Sequence, residues 1–139
     1  MAQNTAVIYT DGACKGNPGR GGWAAIIQQN GRRKVVSGNH PQTTNNRMEM
    51  MAAIKGLEAV DRSVHIVLNS DSTYVVNTMT KGWKRKANQD LWEQLDHLVA
   101  DRQVEWRWLK GHNGDPGNEL ADSVASKEAG LATSSDGNP

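Results

Sequence analysis

The chain has 139 residues, of which 37% are hydrophobic, and a formal net charge of +1 at pH 7. This length suits one domain with a buried core, and so small a net charge excludes a strong overall field that would attract nucleic acid. Cys14 is the only cysteine, which excludes an internal disulfide framework. No window approaches the roughly 18 apolar residues of a membrane span, and we see no export signal. We therefore expect a cytoplasmic protein with no membrane segment.

Apolar residues alternate along some segments and recur at helical spacing along others, which separates predicted strands from predicted helices. Asn30-Gly31 is a typical turn between two strands, so we expect an antiparallel start. A meander followed by strands and helices is typical of an α/β fold, a mixed sheet with helices on its faces. In chain order, the pattern predicts strands over residues 5–10, 22–28 and 33–37, a helix over 45–60, a strand over 64–71, helices over 72–79 and 90–102, a strand over 104–111 and a helix over 118–128.

The sequence predicts a single domain over residues 1–129. Residues 130–139 are small and polar, and we expect a flexible tail with no part in the chemistry.

Two of the predicted strands end at aspartates. Asp11 ends the first strand and is followed by residues 12–22, where five glycines predict a loop; Asp71 ends the fourth strand. Glycine-rich loops often bind phosphates through backbone N–H groups, but a carboxylate beside a phosphate would repel it unless a cation lies between them. If the two strands are parallel neighbours, both carboxylates face one crevice beyond the strand ends.

Two further acids, Glu49 and Asp122, lie early in predicted helices and can face the same crevice. Carboxylates a few ångströms apart raise each other's pKa and oppose folding unless a cation compensates their charge. Oxygen ligands favour Mg²⁺ or Mn²⁺ over zinc. A lone aspartate at a strand end is more often a turn former or a helix cap, so the predicted metal site depends on the set of four acids.

Four motifs occur in a specific order and spacing: YTDGACKGNPGRGGWA, TTNNRMEMMAAIKGLEA, NSDSTYVVN and WLKGHNGDPGNELADSVA. They resemble the motifs of bacterial type 1 ribonuclease H, and the resemblance covers residues 5 to about 129. It implies a five-stranded mixed β-sheet flanked by α-helices, and an endonuclease that cuts the RNA strand of an RNA–DNA hybrid duplex. By position in these motifs, the family's metal-binding acids correspond to Asp11, Glu49, Asp71 and Asp122.

The resemblance also implies the chemistry of the site. Two Mg²⁺ ions, with Mn²⁺ as a possible substitute, would act on the scissile phosphate and leave 5′-phosphate and 3′-hydroxyl ends. His112 matches the family's loop histidine, which implies a role in proton transfer or product release, and Glu119 would support that region. We expect a monomer that requires no protein partner.

The substrate contacts implied by the resemblance fall into two groups. One group reads the minor groove and the 2′-hydroxyls of the RNA strand, which distinguish RNA from DNA; it consists of Cys14, Asn17, Asn45 and Asn46. The other group holds a phosphate of the DNA strand; it consists of Thr44 and Asn88.

One segment departs from the family pattern. Only seventeen residues, VVNTMTKGWKRKANQDL, separate Tyr74 from Trp92, where the best-known bacterial members carry a longer basic helical protrusion. Each lost phosphate contact weakens the salt dependence of binding, so we expect weaker hybrid binding or binding through other surfaces. We expect generic phosphate contacts from the basic cluster that remains, Lys84, Arg85 and Lys86.

Two other functions fit part of the pattern. A nucleotide- or phosphate-binding module would use the glycine-rich segment without cutting nucleic acid, and the set of four acids disfavours it. A Holliday-junction resolvase or an integrase-like strand cutter would share the carboxylate chemistry, but the asparagines and the TTNNRME motif favour hybrids.

Overall fold

The computed structural model describes residues 5–111 and 113–132. The order of strands and helices agrees with the order predicted from the sequence. In this part of the chain the strands are β1 (Thr5–Lys15), β2 (Gly19–Gln29), β3 (Arg32–Thr43), β4 (His65–Ser70) and β5 (Val104–Trp108), and the helices are α1 (Asn45–Glu58), α2 (Thr73–Lys81), α3 (Gln89–Val99) and α4 (Pro116–Leu131).

The five strands form one mixed sheet in the order β3-β2-β1-β4-β5. The pairs β1–β2 and β2–β3 are antiparallel, while β1–β4 and β4–β5 are parallel. The predicted fold class is therefore confirmed. β1, which contains Asp11, is the parallel neighbour of β4, which ends at Ser70 just before Asp71.

Helices cover both faces of the sheet because successive side chains of β1 point to opposite sides. Ile8 faces α1, since a Cβ on Gly56 would lie 3.1 Å from Ile8 Cγ2. Tyr9 faces α4, where a Cβ on Gly117 would overlap the Tyr9 ring. The hydrophobic core lies mainly on the first face, where Ile8 packs with residues such as Ile54, Leu57, Leu68 and Trp92.

The prediction of a glycine-rich loop over residues 12–22 is wrong. Gly12 lies in β1 and Gly22 in β2, and the strands Thr5–Lys15 and Gly19–Gln29 leave only a short turn between them. A Cβ on Gly22 would overlap backbone atoms of Ala125 and Ala129 in α4. Glycine is required here because a helix packs closely on the strand, which is a different reason from phosphate binding.

Helix boundaries differ from the predictions at several ends. Asp115 caps the N-terminus of α4, where its carboxylate accepts the backbone N–H of Asn118 at 3.0 Å. At the other end, α4 continues to Leu131, and the carbonyl of the buried Ala132 accepts a hydrogen bond from Arg20 Nη1 at 3.3 Å. The first residues of the expected tail are thus helical, while residues 133–139 lie outside the described part of the chain.

The helices of residues 5–111 and 113–132 include none with the length and apolar character needed to cross a bilayer.

Candidate metal centre

The parallel pairing of β1 with β4 brings two aspartates together. The last residue pair in this register is Thr10 with Ser70, and the next residues along each chain are Asp11 and Asp71. β1 continues beyond this point, paired only with β2, where Asp11 lies opposite Ala24. The prediction that Asp11 ends its strand is therefore wrong, because β1 continues to Lys15. The two aspartates still lie beside each other at the end of β4, as expected for parallel neighbouring strands.

A third acid, Glu49, reaches the same place from the first turns of α1. Thr44 caps this helix by accepting the backbone N–H of Arg47 at 3.2 Å. A Cβ on Gly12 would overlap the backbone nitrogen of Glu49, so glycine at this position lets α1 lie directly on β1. The glycine next to Asp11 thus positions the carboxylate of Glu49.

The three carboxylates form a compact, mostly buried cluster. One oxygen from each of Asp11, Glu49 and Asp71 lies within 4.8 Å of the other two. The exposed fraction is only 3% for Asp11 and 6% for Glu49. Asp122 of α4 lies near enough to Asp11 to help raise the pKa of that carboxyl. The structure therefore groups three of the four predicted acids within 4.8 Å and places the fourth, Asp122, in the neighbourhood of Asp11.

Burial and mutual repulsion strongly perturb these acids. Burial, followed by the charges of Asp71 and Asp122, raises the pKa of Asp11 from 3.8 to about 8. Burial also raises the pKa of Glu49 well above its ordinary value, and the nearby charges of Asp11 and Asp71 act in the same direction. Such a cluster opposes its own ionisation unless a cation is present.

The residues fit a divalent cation. The Oε1 atom of Glu49 is buried and has no hydrogen-bond partner among the described residues, although a buried carboxylate oxygen normally has one. A cation would satisfy this oxygen and would compensate the charge of its neighbours. Because the donor atoms are all carboxylate oxygens, the site suits a hard ion such as Mg²⁺ or Mn²⁺ better than zinc.

The turn between β1 and β2 lies beside the N-terminus of α1. Asn17 Oδ1 accepts the backbone N–H of Asn45 at 3.0 Å, and Asn46 is exposed on the next position of the helix. Cys14 Sγ lies 2.7 Å from the carbonyl oxygen of Gly16 and 3.4 Å from that of Thr43. Burial raises the pKa of the Cys14 thiol. The structure therefore gathers the residues predicted to read the minor groove into one surface.

Thr44 and Asn88, the residues predicted to hold a DNA phosphate, are linked through Arg47. The guanidinium of Arg47 donates to Asn88 Oδ1 at 3.1 Å, and its backbone N–H donates to Thr44 Oγ1. Asn88 Nδ2 in turn donates to the Tyr74 hydroxyl at 3.0 Å. Sequence reasoning missed Arg47, although it lies within the TTNNRME motif, because its side chain contacts Asn88, about forty positions away in the chain.

The basic cluster divides into two kinds of side chain. Lys84 and Lys86 are exposed in the irregular connection between α2 and α3. Arg85 instead pairs with Asp96 at 2.5 Å, and its guanidinium carbon lies 5.2 Å from the centre of the Trp92 ring. The Arg85 guanidinium is thus already engaged by α3. The remaining predicted site residue, His112, lies outside the residues that the structure describes.

Comparison with known proteins identifies related sequences and folds. The family model described as RNase H matches residues 3–130. Ribonuclease HI of Pseudomonas aeruginosa PAO1 is 52% identical over 134 residues, which cover 87% of this chain and 90% of that protein. Ribonuclease H of Maricaulis maris is 51% identical over 138 residues, covering 88% of this chain and 91% of that protein.

Solved structures with a similar fold include LC9-RNase H1, described as a type 1 RNase H with the type 2 active-site motif. It superimposes with a TM-score of 0.80 at 31% identity, covering 99% of this chain and 77% of that one. The N-terminal RNase H domain of rv2228c from Mycobacterium tuberculosis gives a TM-score of 0.79 at 26% identity, covering 93% of this chain and 96% of that one.

Proposed function

The chain belongs to the ribonuclease H family, and we propose that it is a metal-dependent endonuclease that cuts the RNA strand of RNA–DNA hybrids. The observation that carries this proposal is the buried carboxylate cluster of Asp11, Glu49 and Asp71, one oxygen of each within 4.8 Å of the others. These acids lie at the positions where the sequence motifs match those of the family. A cluster so costly to ionise is best explained as a cation site.

Four acids would hold the metal: Asp11, Glu49, Asp71 and Asp122. When bound, two divalent cations, Mg²⁺ or Mn²⁺, supply activation of the attacking water and stabilisation of the departing 3′-oxygen. The carboxylates would hold the cations in place, and the cut would leave 5′-phosphate and 3′-hydroxyl ends. His112 would transfer a proton or assist product release, and Glu119 would support that region.

Recognition of the hybrid requires reading the RNA sugar as well as the phosphates. Asn17, Asn45 and Asn46 would contact base edges and sugars in the minor groove, because each amide both donates and accepts hydrogen bonds. Cys14, whose Sγ lies against the backbone at the β1–β2 turn, would face the 2′-hydroxyls of the RNA strand. The position of this surface beside the carboxylate cluster supports these roles.

The DNA strand would be held on the other side of the α1 N-terminus. Thr44 uses a lone pair to cap α1, so its hydroxyl hydrogen can still be donated to a phosphate oxygen. Asn88 would donate to the same phosphate. Lys84 and Lys86 would supply further electrostatic contacts, and Arg85 a weaker one, because Asp96 already neutralises its charge.

The proposed activity suits a cytoplasmic monomer that needs no protein partner, with a catalytic domain that includes the whole of α4, to Leu131. Size-exclusion chromatography with light scattering at the concentration used for cleavage assays would test the oligomeric state. A stable dimer at that concentration would contradict it.

The decisive experiment compares three labelled duplexes of one sequence: RNA–DNA, RNA–RNA and DNA–DNA, each with Mg²⁺, Mn²⁺ or EDTA. We expect cleavage of the RNA strand of the hybrid alone, only with metal, and 5′-phosphorylated products. Binding without cleavage in any condition would favour a phosphate-binding module. Cleavage of branched or duplex DNA in preference to the hybrid would favour a resolvase-like or integrase-like enzyme.

A further inference from the structure

We propose that Arg47 is a positioning residue that fixes the side-chain amide of Asn88 for a phosphate of the DNA strand. This inference rests on the proposed hybrid cleavage and adds to it a residue whose effect on the substrate is indirect.

The local backbone does not fix the orientation of the Asn88 side chain. It precedes α3 with a φ of 61°, in the left-handed region, and its side chain makes no capping hydrogen bond to that helix. The connection before it, from Gly82 onward, has no regular secondary structure. The orientation of the amide therefore depends on its two side-chain contacts, with Arg47 Nη1 at 3.1 Å and with the Tyr74 hydroxyl at 3.0 Å.

The contact with Arg47 determines which end of the amide is available. A guanidinium only donates hydrogen bonds, so the amide oxygen of Asn88 must face Arg47 and the NH₂ group must face away. One NH₂ hydrogen is donated to the Tyr74 hydroxyl, and the other remains for an additional acceptor. A phosphate oxygen is such an acceptor, whereas a flipped amide would present its own oxygen to the phosphate and repel it.

A salt bridge with Asp90 holds the Arg47 side chain in place and neutralises its charge. Its Nη1 and Nη2 atoms donate to the two carboxylate oxygens of Asp90 at 3.0 and 2.7 Å, a two-point pairing that restricts the guanidinium plane. The hydrogen bond from Arg47 lowers the pKa of Asp90 to about 2, so this carboxylate stays charged. Because its charge is already paired, Arg47 acts on the substrate through geometry.

The same residue joins the two halves of the proposed phosphate site. Its backbone N–H donates to Thr44 Oγ1, and its side chain holds Asn88 across the gap between α1 and α3. The connection between α2 and α3 is short in this chain. The hydrogen bond from Arg47 to Asn88 attaches the end of this connection to the substrate-facing end of α1.

The test is a double-mutant cycle between Arg47→Met and Asn88→Ala, with steady-state cleavage of the hybrid as the readout. Arg47→Met keeps the backbone N–H that Thr44 accepts and much of the apolar stem. Each single variant should raise KM about three- to tenfold, the scale of one ordered hydrogen bond, with kcat changed little. The double variant should be no worse than Asn88→Ala, because the two residues act as one unit.

A second substrate separates this role from general stability. A hybrid with one neutral methylphosphonate in the DNA strand, moved along that strand, should raise the KM of the unchanged enzyme at one position. The Arg47→Met variant should be insensitive at that position. The matched control is Arg62→Met, which removes another arginine–aspartate pair, Arg62 with Asp101 at 2.9 Å, and should leave KM unchanged.

Arg47→Lys tests charge against geometry and serves if Arg47→Met does not fold. A lysine keeps the charge but cannot bind both oxygens of Asp90 and also reach Asn88, so KM should rise as in Arg47→Met. Recovery of the normal KM by lysine, or additive effects in the cycle, would overturn the inference while leaving hybrid cleavage intact. Failure of the unchanged protein to cut any hybrid would instead overturn the proposed function.

Discussion

At the scale of single residues, the buried acids of the site lower the stability of the folded protein. Glu49 keeps a buried carboxylate oxygen without a hydrogen-bond partner in the described chain, directly beside Asp11. Burial of unpaired or like charges costs free energy, so these acids are unfavourable where they lie unless a cation is bound. The acids are therefore explained by what they bind, and their removal should affect activity and stability in opposite directions.

Asp71→Asn should lower kcat for hybrid cleavage by about a hundredfold or more, the scale of removing one charged group at a reacting centre. The shape of the side chain is kept, but one ligand charge is lost. In metal-free buffer the variant should be as stable as the unchanged protein or more so, because a repulsion disappears. Cleavage kinetics and urea unfolding would measure both effects.

The matched control for this substitution is Asp101→Asn, which changes an exposed aspartate paired with Arg62. It should leave cleavage unchanged. Near-normal turnover of Asp71→Asn would contradict the assignment, and a large loss of stability would make Asp71 a structural residue instead.

The pH dependence of unfolding should also reveal the cluster. Asp11 has a folded-state pKa of about 8, above its ordinary 3.8, so the folded chain keeps a proton that the unfolded chain releases between these values. The stabilising contribution of this carboxyl is full below pH 3.8 and is lost as the pH rises toward 8. Without divalent metal, the free energy of unfolding should therefore fall from about pH 5 to about pH 8.

Urea unfolding of the unchanged protein and of Asp11→Asn, measured side by side across this pH range, would test the effect. In Asp11→Asn the free energy of unfolding should fall less with rising pH. Added Mg²⁺ should reduce the fall in the unchanged protein as well, because the metal favours the ionised acids. Parallel curves for the two proteins would show that Asp11 does not titrate in this window.

At the scale of secondary-structure elements, the site depends on how closely α1 lies on β1. The backbone of α1 at Glu49 approaches Gly12 so closely that a Cβ would overlap it. This contact brings Glu49 on a helix within reach of Asp11 on β1 and of Asp71 just after β4. The contact is not visible in the sequence, since it joins positions that are 37 residues apart, and glycine clusters are more familiar from loops.

Gly12→Ala should displace α1 from β1 and destabilise the protein by about 1–3 kcal/mol, the usual cost of overpacking a tight contact. Because Glu49 moves with the helix, hybrid cleavage should fall by more than the loss of folded protein explains. Thermal unfolding and cleavage measured well below the unfolding temperature would separate the two effects.

Gly130→Ala is the matched control, because an added methyl group at this position in α4 would lie 3.5 Å from Lys15, an ordinary contact. Alanine favours helix over glycine, so this variant should be at least as stable as the unchanged protein and fully active. Equal behaviour of the two variants would show that the Gly12 contact does not position Glu49.

At the scale of the whole molecule, the sequence predicts the fold better than it predicts the contacts. Alternation and helical spacing are local signals, so the order of elements follows from them. The convergence of Asp11 with Asp71 needs a further assumption, that their strands are parallel neighbours, and the structure shows this pairing. The strand predicted over residues 33–37 extends over Arg32–Thr43. The prediction is too short because most of the added residues are exposed and carry no apolar pattern. The pairing of Arg47 with Asp90 arises only when α1 packs against α3, and the pairing of Arg85 with Asp96 arises only when the connection before α3 folds back on that helix. No local pattern encodes either contact.

The three residues of the basic cluster should respond differently to substitution. Lys84 and Lys86 are exposed, whereas Arg85 pairs with Asp96 and lies over Trp92. Replacing both lysines by alanine should lower the slope of log affinity against log salt by up to about 2 units, one for each phosphate that they neutralise. Arg85→Met should change the slope less and should lower the melting temperature, because it removes packing as well as charge. Hybrid affinity measured by fluorescence anisotropy at several salt concentrations, in the Asp71→Asn background to prevent cleavage, would give both slopes. A larger change for Arg85→Met than for the double lysine variant would show that Arg85 leaves Asp96 to bind the hybrid.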